Sequence, residues 1–224
     1  EPFVPPGIVT DGRTVFTSDE AVNLEWLPRW IAIIGSGYIG LEFADIYSAL
    51  GCEVTVIEAL DRIMPTFDQD LTKIASRHLI SGRDIDAKAG LFASNVLPGC
   101  PVKIELTDAK TRKLVEELEV DAVLVATGRT PSSQDLNLKS IGAETNRGFV
   151  PIDDHMRVLI DGKPVPNLWA VGDVTGKLML AHTAAAQGTI AVENILGKSR
   201  KIDYRSIPAA TFTHPEISSV GLTE

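Results

Sequence analysis

The chain has 224 residues, of which 44% are hydrophobic and 23% are charged, and its formal net charge is −9. This length and composition are typical of a globular protein with one large domain or two small ones. The acidic balance argues against nucleic acid as a partner, and no apolar run approaches the roughly 20 residues of a membrane span, so we expect no membrane partner either.

The first 29 residues are rich in proline and turn-forming residues. The sequence TSDE at residues 17–20 is typical of a helix cap and predicts a short helix over residues 21–26, which Pro28 would end. We expect residues 1–29 to act as a linker.

A βαβ unit is predicted directly after this linker. Residues 31–34 form an unbroken apolar run, the pattern of a strand buried on both faces of a parallel sheet. The sequence GSGYIG follows, residues 41–50 have helical spacing, and EVTVIE at residues 53–58 predicts a second strand. The order strand, glycine turn, helix, strand has about the 30 residues expected of such a unit.

Further elements follow at shorter intervals. A helix is predicted over residues 68–79 with Asp68 as its N-cap, and short strands over residues 85–106 with a Pro-Gly turn at 98–99. Buried strands are predicted at 118–126 and 167–171, an alanine-rich helix at 180–196, and a new element from residue 204. We therefore expect an α/β fold, with a parallel sheet over residues 30–128 and an antiparallel excursion around 91–106.

The glycine turn predicts a dinucleotide site because it leaves a buried strand and opens a helix. Gly35 permits the tight turn, Gly37 lets a pyrophosphate approach the backbone, and Gly40 lets the helix pack closely. The free N–H groups and the helix dipole then attract phosphate. Glu58 lies near the expected offset of about 20 residues, where a carboxylate accepts hydrogen bonds from both adenosine ribose hydroxyls and repels a 2′-phosphate. This favours NAD over NADP; the alternative is a glycine-rich junction with no ligand.

The two cysteines, Cys52 and Cys100, are spaced neither as a metal site nor as a vicinal redox pair. We expect two unrelated thiols and no metal ligands.

A series of ordered motifs resembles the flavoprotein pyridine nucleotide-disulfide oxidoreductases, and within them the dihydrolipoamide dehydrogenases. The motifs are GSGYIGLEF followed by VTVIEALDRIMP, ATGRTP at 126–131, LWAVGD at 168–173, MLAH at 179–182 followed by AQG, and THPE to GLTE at 213–224. The sequence around residues 16–19, Tyr38 and residues 81–83 is similar to that of plastid and cyanobacterial members.

The resemblance implies a Rossmann-like NAD-binding domain inserted in a FAD-binding domain. Residues 30–128 would form the NAD-binding domain. Residues 1–29 and 129–203 would belong to the FAD-binding domain, and 204–224 would begin an α+β dimerisation domain.

The resemblance also implies which residues bind the two cofactors. The residues that would bind NAD are Gly35, Ser36, Gly37, Tyr38, Ile39, Gly40, Leu41, Glu42, Glu58, Leu91 and Gly128. The residues that would bind FAD are Asp173, Met179, Leu180, Ala181 and His182. Simpler roles stay open, because Asp173 is also a common turn former and Glu42 a common helix residue. Tyr38 could only fill space, the His182 side chain could be inert, and we expect His214 to be structural.

The activity implied is a relay in which dihydrolipoamide reduces a protein disulfide, then FAD, then NAD. We expect the first flavin motif and the CxxxxC disulfide to precede Glu1 and the His–Glu base pair to follow Glu224. No catalytic residue is therefore expected in this stretch, which alone should be inactive. The implied partners are a second copy in a homodimer and the lipoyl-bearing acyltransferase of 2-oxo acid dehydrogenase complexes. The implied location is the plastid stroma, with the mitochondrial matrix or bacterial cytoplasm as alternatives.

Two other functions stay open at this point. One is a different flavin disulfide reductase, acting on glutathione or mercuric ion, although Glu58 argues against reductases that use NADP. The other is a nonenzymatic NAD-binding structural subunit, if the natural chain is this short.

Overall fold

A computed structural model describes residues 1–65, 67–83 and 85–223. The strands are β1 Val15–Thr17, β2 Trp30–Ile34, β3 Glu53–Glu58, β4 Ile85–Ala89, β5 Leu91–Leu97, β6 Val102–Asp108, β7 Leu114–Val120, β8 Ala122–Val125, β9 Arg157–Ile160, β10 Lys163–Trp169, β11 Ala209–Thr211 and β12 Ile217–Ser219. The α-helices are α1 Ser18–Ala21, α2 Tyr38–Ala49, α3 Gln69–Leu79 and α4 Ala181–Ile195. Short 3-10 helices cover Gln134–Leu136, Leu138–Ile141, Asp173–Thr175 and Tyr204–Ser206.

The described residues form two compact units. One unit comprises Pro2–Arg129 together with Ala210–Ser218. The other comprises Thr130–Ala209 with Glu1 and the residues from Ser219 onward.

A five-stranded parallel sheet organises the first unit. Its strand order is β1-β8-β2-β3-β4, and all neighbouring strands run in the same direction. Three residues of β2 and three of β8 have no exposed surface at all, as expected for strands covered on both faces. The predicted α/β fold with a parallel sheet is confirmed.

A three-stranded antiparallel sheet, β5-β6-β7, forms the excursion that we expected around 91–106, and it extends to Val120. The single strand predicted over 118–126 is wrong, because β7 and β8 belong to different sheets and Asp121 separates them. The Asp121 carboxylate accepts hydrogen bonds from the N–H groups of Arg29 and Trp30, at 2.9 and 3.0 Å. This carboxylate therefore fixes the point at which the chain leaves one sheet and starts the next, beside the first residue of β2.

The start of the chain departs from the predicted linker. Val15–Thr17 pairs in parallel with β8 and is buried, so it forms the edge strand of the parallel sheet. The helix predicted over 21–26 is wrong, since α1 ends at Ala21. Its cap is nevertheless the predicted TSDE sequence: Asp19 N–H donates to the Thr17 hydroxyl oxygen, and the Glu20 carboxylate accepts from Thr17 N–H.

The other predicted helices agree with the structure within a few residues. α3 begins after Asp68, whose carboxylate accepts from the N–H groups of Asp70 and Leu71 at 2.9 and 3.2 Å. α2 begins at Tyr38, three residues before the predicted start, because Gly40 lies inside the helix. None of the helices within the described ranges is long and apolar enough to cross a membrane.

A late segment, Ala210–Ser218, packs on α2 in the first unit. Phe212 N–H donates to the Glu42 carboxylate at 2.9 Å, and His214 N–H donates to the Asp45 carboxylate at 2.9 Å. Arg83 forms an ion pair with Asp45 and donates to the His214 carbonyl. Ile217 of this segment is buried in a hydrophobic core that also contains residues of α2, so both polar and apolar contacts hold the segment.

The second unit consists of the β9–β10 hairpin and α4, which spans nearly the predicted 180–196. Its small core joins Met156 of the hairpin region to Ile190 and Ala191 of the helix. β10 begins at Lys163, four residues before the predicted strand.

Replacing Asp121 with alanine is expected to loosen the start of β2. The variant leaves two backbone N–H groups without their acceptor, which costs on the order of 1–3 kcal/mol each where they are buried. Amide hydrogen exchange of Arg29 and Trp30 should accelerate. The matched control is Glu119→Ala on β7, which removes only an exposed ion pair with Lys103 and should change little. Equal exchange rates in both variants would contradict the role of Asp121.

Candidate functional site

The predicted NAD-binding positions meet at one edge of the parallel sheet. Gly35 follows β2, Glu58 ends β3, Leu91 lies two residues beyond β4, and Gly128 lies three residues beyond β8. Carboxyl ends of parallel strands share one edge, and the strand order changes direction at β2, because β3 and β4 lie on one side of it and β8 and β1 on the other. Ligands of open α/β sheets bind at such a switch point.

Two of the glycines are required by the packing of the protein itself. Gly35 has a φ of +106°, and a Cβ there would collide with the carbonyl oxygen of Ala126 at the end of β8. A Cβ on Gly40 would collide with the carbonyl oxygen of Gly35. These positions explain how the turn forms, and they would be glycine without any ligand.

Gly37 is different because the fold does not require it. Its φ of −76° suits any residue, and no described atom lies within 4 Å of a Cβ built there. The space that a methyl group would take is therefore open, as a pyrophosphate approaching the backbone needs. Gly128 also faces open space, but its φ of +125° favours glycine for backbone reasons alone.

The N-terminus of α2 presents unpaired N–H groups at the same edge. The first helical hydrogen bond runs from Leu41 N–H to the Gly37 carbonyl at 3.0 Å. Within the described chain, no side chain caps this end and its first turn holds no acidic residue. The N–H groups of Tyr38, Ile39 and Gly40 thus have no intrahelical partner. Together with the dipole they make this helix end suited to a phosphate.

Glu58 lies directly beside the glycine turn. It is only 8% exposed, and its Oε2 accepts hydrogen bonds from the Ser36 N–H at 3.0 Å and the Ser36 hydroxyl at 2.6 Å. Its Oε1 accepts from Leu60 N–H at 3.0 Å. The Ser36 hydroxyl oxygen in turn accepts from Met64 N–H at 3.0 Å. The Ser36 side chain is therefore fully buried and faces Glu58.

The helix residues after the glycine turn have separate roles. The Tyr38 ring packs at a tilt on Phe67, with 5.0 Å between ring centroids, and its burial raises the pKa of the Tyr38 phenol. The Leu41 side chain is buried in a hydrophobic core. The Glu42 carboxylate binds Phe212 N–H, so one of its oxygens is engaged by the protein.

Leu91 opens β5 and is half-buried against the core between the two sheets. The preceding residue, Gly90, donates its N–H to the Leu60 carbonyl at 2.7 Å, which ties this position to the loop after Glu58.

In the second unit, Gln187 connects two of the predicted flavin-binding regions, the loop at Asp173 and helix α4. No role is predicted for this residue from the sequence alone. Gln187 of α4 is fully buried, and its Oε1 accepts from Gly172 N–H at 2.6 Å. Its Nε2 donates to the Tyr204 hydroxyl at 3.0 Å. Asp173, exposed at the start of a 3-10 helix, is thereby held next to α4. A glutamine on the buried face of an alanine-rich helix was the available signal.

The N-terminus of α4 is also free of a side-chain cap, as far as the described residues show. Leu180 is its N-cap, and Met179, Ala181 and His182 are exposed. The His182 Nε2 lies 2.6 Å from the Pro208 carbonyl oxygen, so the ring is anchored within its own unit. The backbone N–H groups of this helix start are what remains for a ligand.

A cleft of about 1360 Å³ lies at the opposite edge of the sheet, where the strands begin. Charges of both signs line it, including Arg29, Asp45, Arg83 and Asp121. It lacks the glycine turn and the helix N-terminus, so we place the site at the carboxyl edge. Cys52 and Cys100 are free thiols, and the described residues contain no group of three side chains able to hold a metal.

The chain is similar to known proteins of one family. The family model for pyridine nucleotide-disulphide oxidoreductases matches residues 1–188. Over the whole chain, 65% of residues are identical to a dihydrolipoyl dehydrogenase of Synechocystis and 58% to a chloroplastic dihydrolipoyl dehydrogenase 2 of Arabidopsis thaliana. The chain spans only 47% and 40% of the lengths of these two relatives.

Solved structures share the fold. LpdA of Mycobacterium tuberculosis superposes with a TM-score of 0.87 at 32% identity, covering 99% of this chain and 46% of that one. The HOCl-induced flavoprotein disulfide reductase RclA of Escherichia coli superposes with a TM-score of 0.82 at 29% identity. The match covers 100% of this chain and 50% of the RclA chain. These likenesses confirm the predicted two-dinucleotide fold.

Alanine at Gly35 and at Gly37 should separate folding from binding. Gly35→Ala collides with the β8 backbone and needs a strained φ, so we expect loss of soluble, folded protein. Gly37→Ala meets only open space and should fold normally, while NADH affinity falls at least about tenfold because the methyl group occupies the phosphate position. Circular dichroism and NADH fluorescence titration measure the two effects. Unchanged NADH binding in Gly37→Ala would exclude this turn as the phosphate site.

Proposed function

The chain belongs to the pyridine nucleotide-disulphide oxidoreductase family, and on that premise we propose that it is the central portion of a dihydrolipoyl dehydrogenase. In this function, electrons pass from dihydrolipoamide through a protein disulfide and FAD to NAD. The residues of this chain bind NAD and part of FAD. The thiols and the base that meet the lipoyl substrate would lie outside this chain, which spans 47% and 40% of the lengths of the two relatives.

The buried carboxylate of Glu58 beside an open Gly37 is the observation that carries the proposal. The open space and the uncapped helix start fit a pyrophosphate, and the carboxylate fits the hydroxyls of an adenosine ribose. Glu58 would repel a 2′-phosphate, and because this residue is only 8% exposed, water screens this repulsion poorly. The cofactor of this site is therefore NAD rather than NADP.

The second unit would form part of the FAD-binding site. The bound flavin would supply two-electron transfer between a dithiol and nicotinamide. Asp173, which Gln187 holds beside α4, would accept hydrogen bonds from ribityl hydroxyls. The uncapped start of α4 at residues 179–182 would direct N–H groups at the isoalloxazine edge and favour negative charge on the reduced ring.

Several finer assignments belong to the same proposal. The active protein would be a homodimer that acts on the lipoyl-bearing acyltransferase of 2-oxo acid dehydrogenase complexes. The domain boundaries would be 1–29, 30–128, 129–203 and 204–224, with Val15–Thr17 of the first segment adding an edge strand to the sheet of the NAD-binding domain. The plastid stroma or a bacterial cytoplasm would be the compartment, supported by the identity to a chloroplastic and a cyanobacterial relative.

The second candidate is another flavin disulfide reductase. The similarity to RclA over the whole chain favours this possibility, since the shared fold accommodates different disulfide substrates. The two candidates differ in the substrate that exchanges electrons with the protein disulfide and not in the residues of this chain.

Turnover by the full-length protein tests the proposal directly. We expect a yellow protein with flavin absorbance that reduces NAD, but not NADP, with dihydrolipoamide as electron donor. Reduction of glutathione disulfide by NADH is the matched comparison. Activity with glutathione disulfide alone would support the second candidate, and a protein without flavin or turnover would overturn both.

Replacing Gln187 with leucine should weaken FAD retention. The change leaves Gly172 N–H without its acceptor, at a cost of roughly 1–3 kcal/mol, and frees the loop that carries Asp173. The ratio of flavin to protein absorbance after dialysis should fall clearly below that of the unchanged protein. The control is Gln134→Leu, an exposed glutamine in the same unit, which should retain its flavin.

A further inference from the structure

We propose that Ser36 is a positioning residue for the adenosine ribose, acting through Glu58, and that its hydroxyl helps to set the affinity for NAD. This inference rests on the proposed function, because it assumes that Glu58 meets the ribose. Ser36 has no exposed surface, so it acts by holding its neighbours and not by touching the cofactor through its side chain.

The hydroxyl of Ser36 is the centre of a closed hydrogen-bond network. It donates to Glu58 Oε2 at 2.6 Å and accepts from Met64 N–H at 3.0 Å. The backbone N–H of Ser36 donates to the same carboxylate oxygen at 3.0 Å. A serine hydroxyl has one proton to donate, and here that proton is directed at the carboxylate. The hydroxyl oxygen accepts a hydrogen bond from the loop after β3.

This arrangement fixes the carboxylate at its two oxygens. Oε2 accepts two hydrogen bonds from Ser36, whereas Oε1 accepts one, from Leu60 N–H. A carboxylate has about four acceptor positions, so Oε1 keeps the larger free capacity for a hydroxyl of the cofactor. Because the carboxylate is held before the cofactor arrives, little side-chain freedom is lost on binding.

The loop after β3 depends on the same hydroxyl. Met64 is fully buried with a φ of +56°, an uncommon backbone conformation for a side chain of this size. Its N–H has the Ser36 hydroxyl as acceptor. Ser36 therefore connects the glycine turn, the ribose-binding carboxylate and the loop that follows it.

A double-mutant cycle in the full-length protein tests this role. Ser36→Ala should weaken NADH binding about tenfold, the loss expected for one charge-assisted hydrogen bond, and raise the KM for NAD with kcat nearly unchanged. Glu58→Gln should weaken NADH binding as well. In the Glu58→Gln background, Ser36→Ala should add little, because its effect passes through the carboxylate.

Controls separate this role from a general structural one. Ser48→Ala removes a hydroxyl near the other end of α2 and should leave NADH affinity unchanged. If Ser36→Ala does not fold, Ser36→Cys keeps the size with a weaker donor and should lie between alanine and serine in affinity. Flavin absorbance and circular dichroism report whether each variant is intact.

The outcomes distinguish the two proposals. Unchanged NADH affinity in Glu58→Gln would contradict the proposed ribose contact and with it the proposed function of this site. Weakened binding in Glu58→Gln with normal binding in Ser36→Ala would overturn the role of Ser36 alone. Equal, fully additive losses in the cycle would also overturn it, because Ser36 would then act independently of Glu58.

Discussion

The close approach of the backbones at the ends of β2 and β8 is the constraint on which the site depends. Ala126 N–H donates to the Ile34 carbonyl and Gly35 N–H donates to the Ile57 carbonyl, both at 2.8 Å, so three neighbouring strands end at one level. Only a residue without Cβ fits this junction at Gly35. The turn that results directs α2 away from the sheet with its N–H groups at the edge, and it brings the backbone of the turn against the carboxylate that ends β3.

The two units share one local arrangement at the start of the helix that we propose binds a cofactor. Both α2 and α4 begin without a side-chain cap in the described structure, which leaves the positive end of each helix open. In each unit a fully buried polar side chain, Ser36 or Gln187, bonds to the adjoining chain instead. Each helix end is therefore left without a side-chain cap, while a buried side chain holds the neighbouring loop.

Local patterns in the sequence predicted the elements whose causes are local. The bounds of β3, the Asp68 cap and the strand–glycine–helix order follow from burial periodicity and capping. The wrong predictions concern elements whose bounds depend on contacts with residues far away in the sequence. The run LEVDAVLVA is apolar except for Glu119 and Asp121, and its division into two strands lies at Asp121, which accepts hydrogen bonds from residues 91 and 92 positions away. Likewise, Val15–Thr17 is a strand because β8 pairs with it. The glycine motif indicated where to look for a site, but the direction of the Ser36 side chain depends on folded neighbours.

The packing of Ala210–Ser218 on α2 has a consequence for the time course of synthesis. The hydrogen bond between Glu42 and Phe212 joins positions 170 residues apart, and it lies in the same unit as the parallel sheet. At a ribosomal rate of about 5–20 residues per second, roughly 10–30 s pass between the emergence of the helix and that of the segment which covers it. During that interval the nascent chain exposes this face of α2. Chaperones acting on the nascent chain have that period in which to bind it.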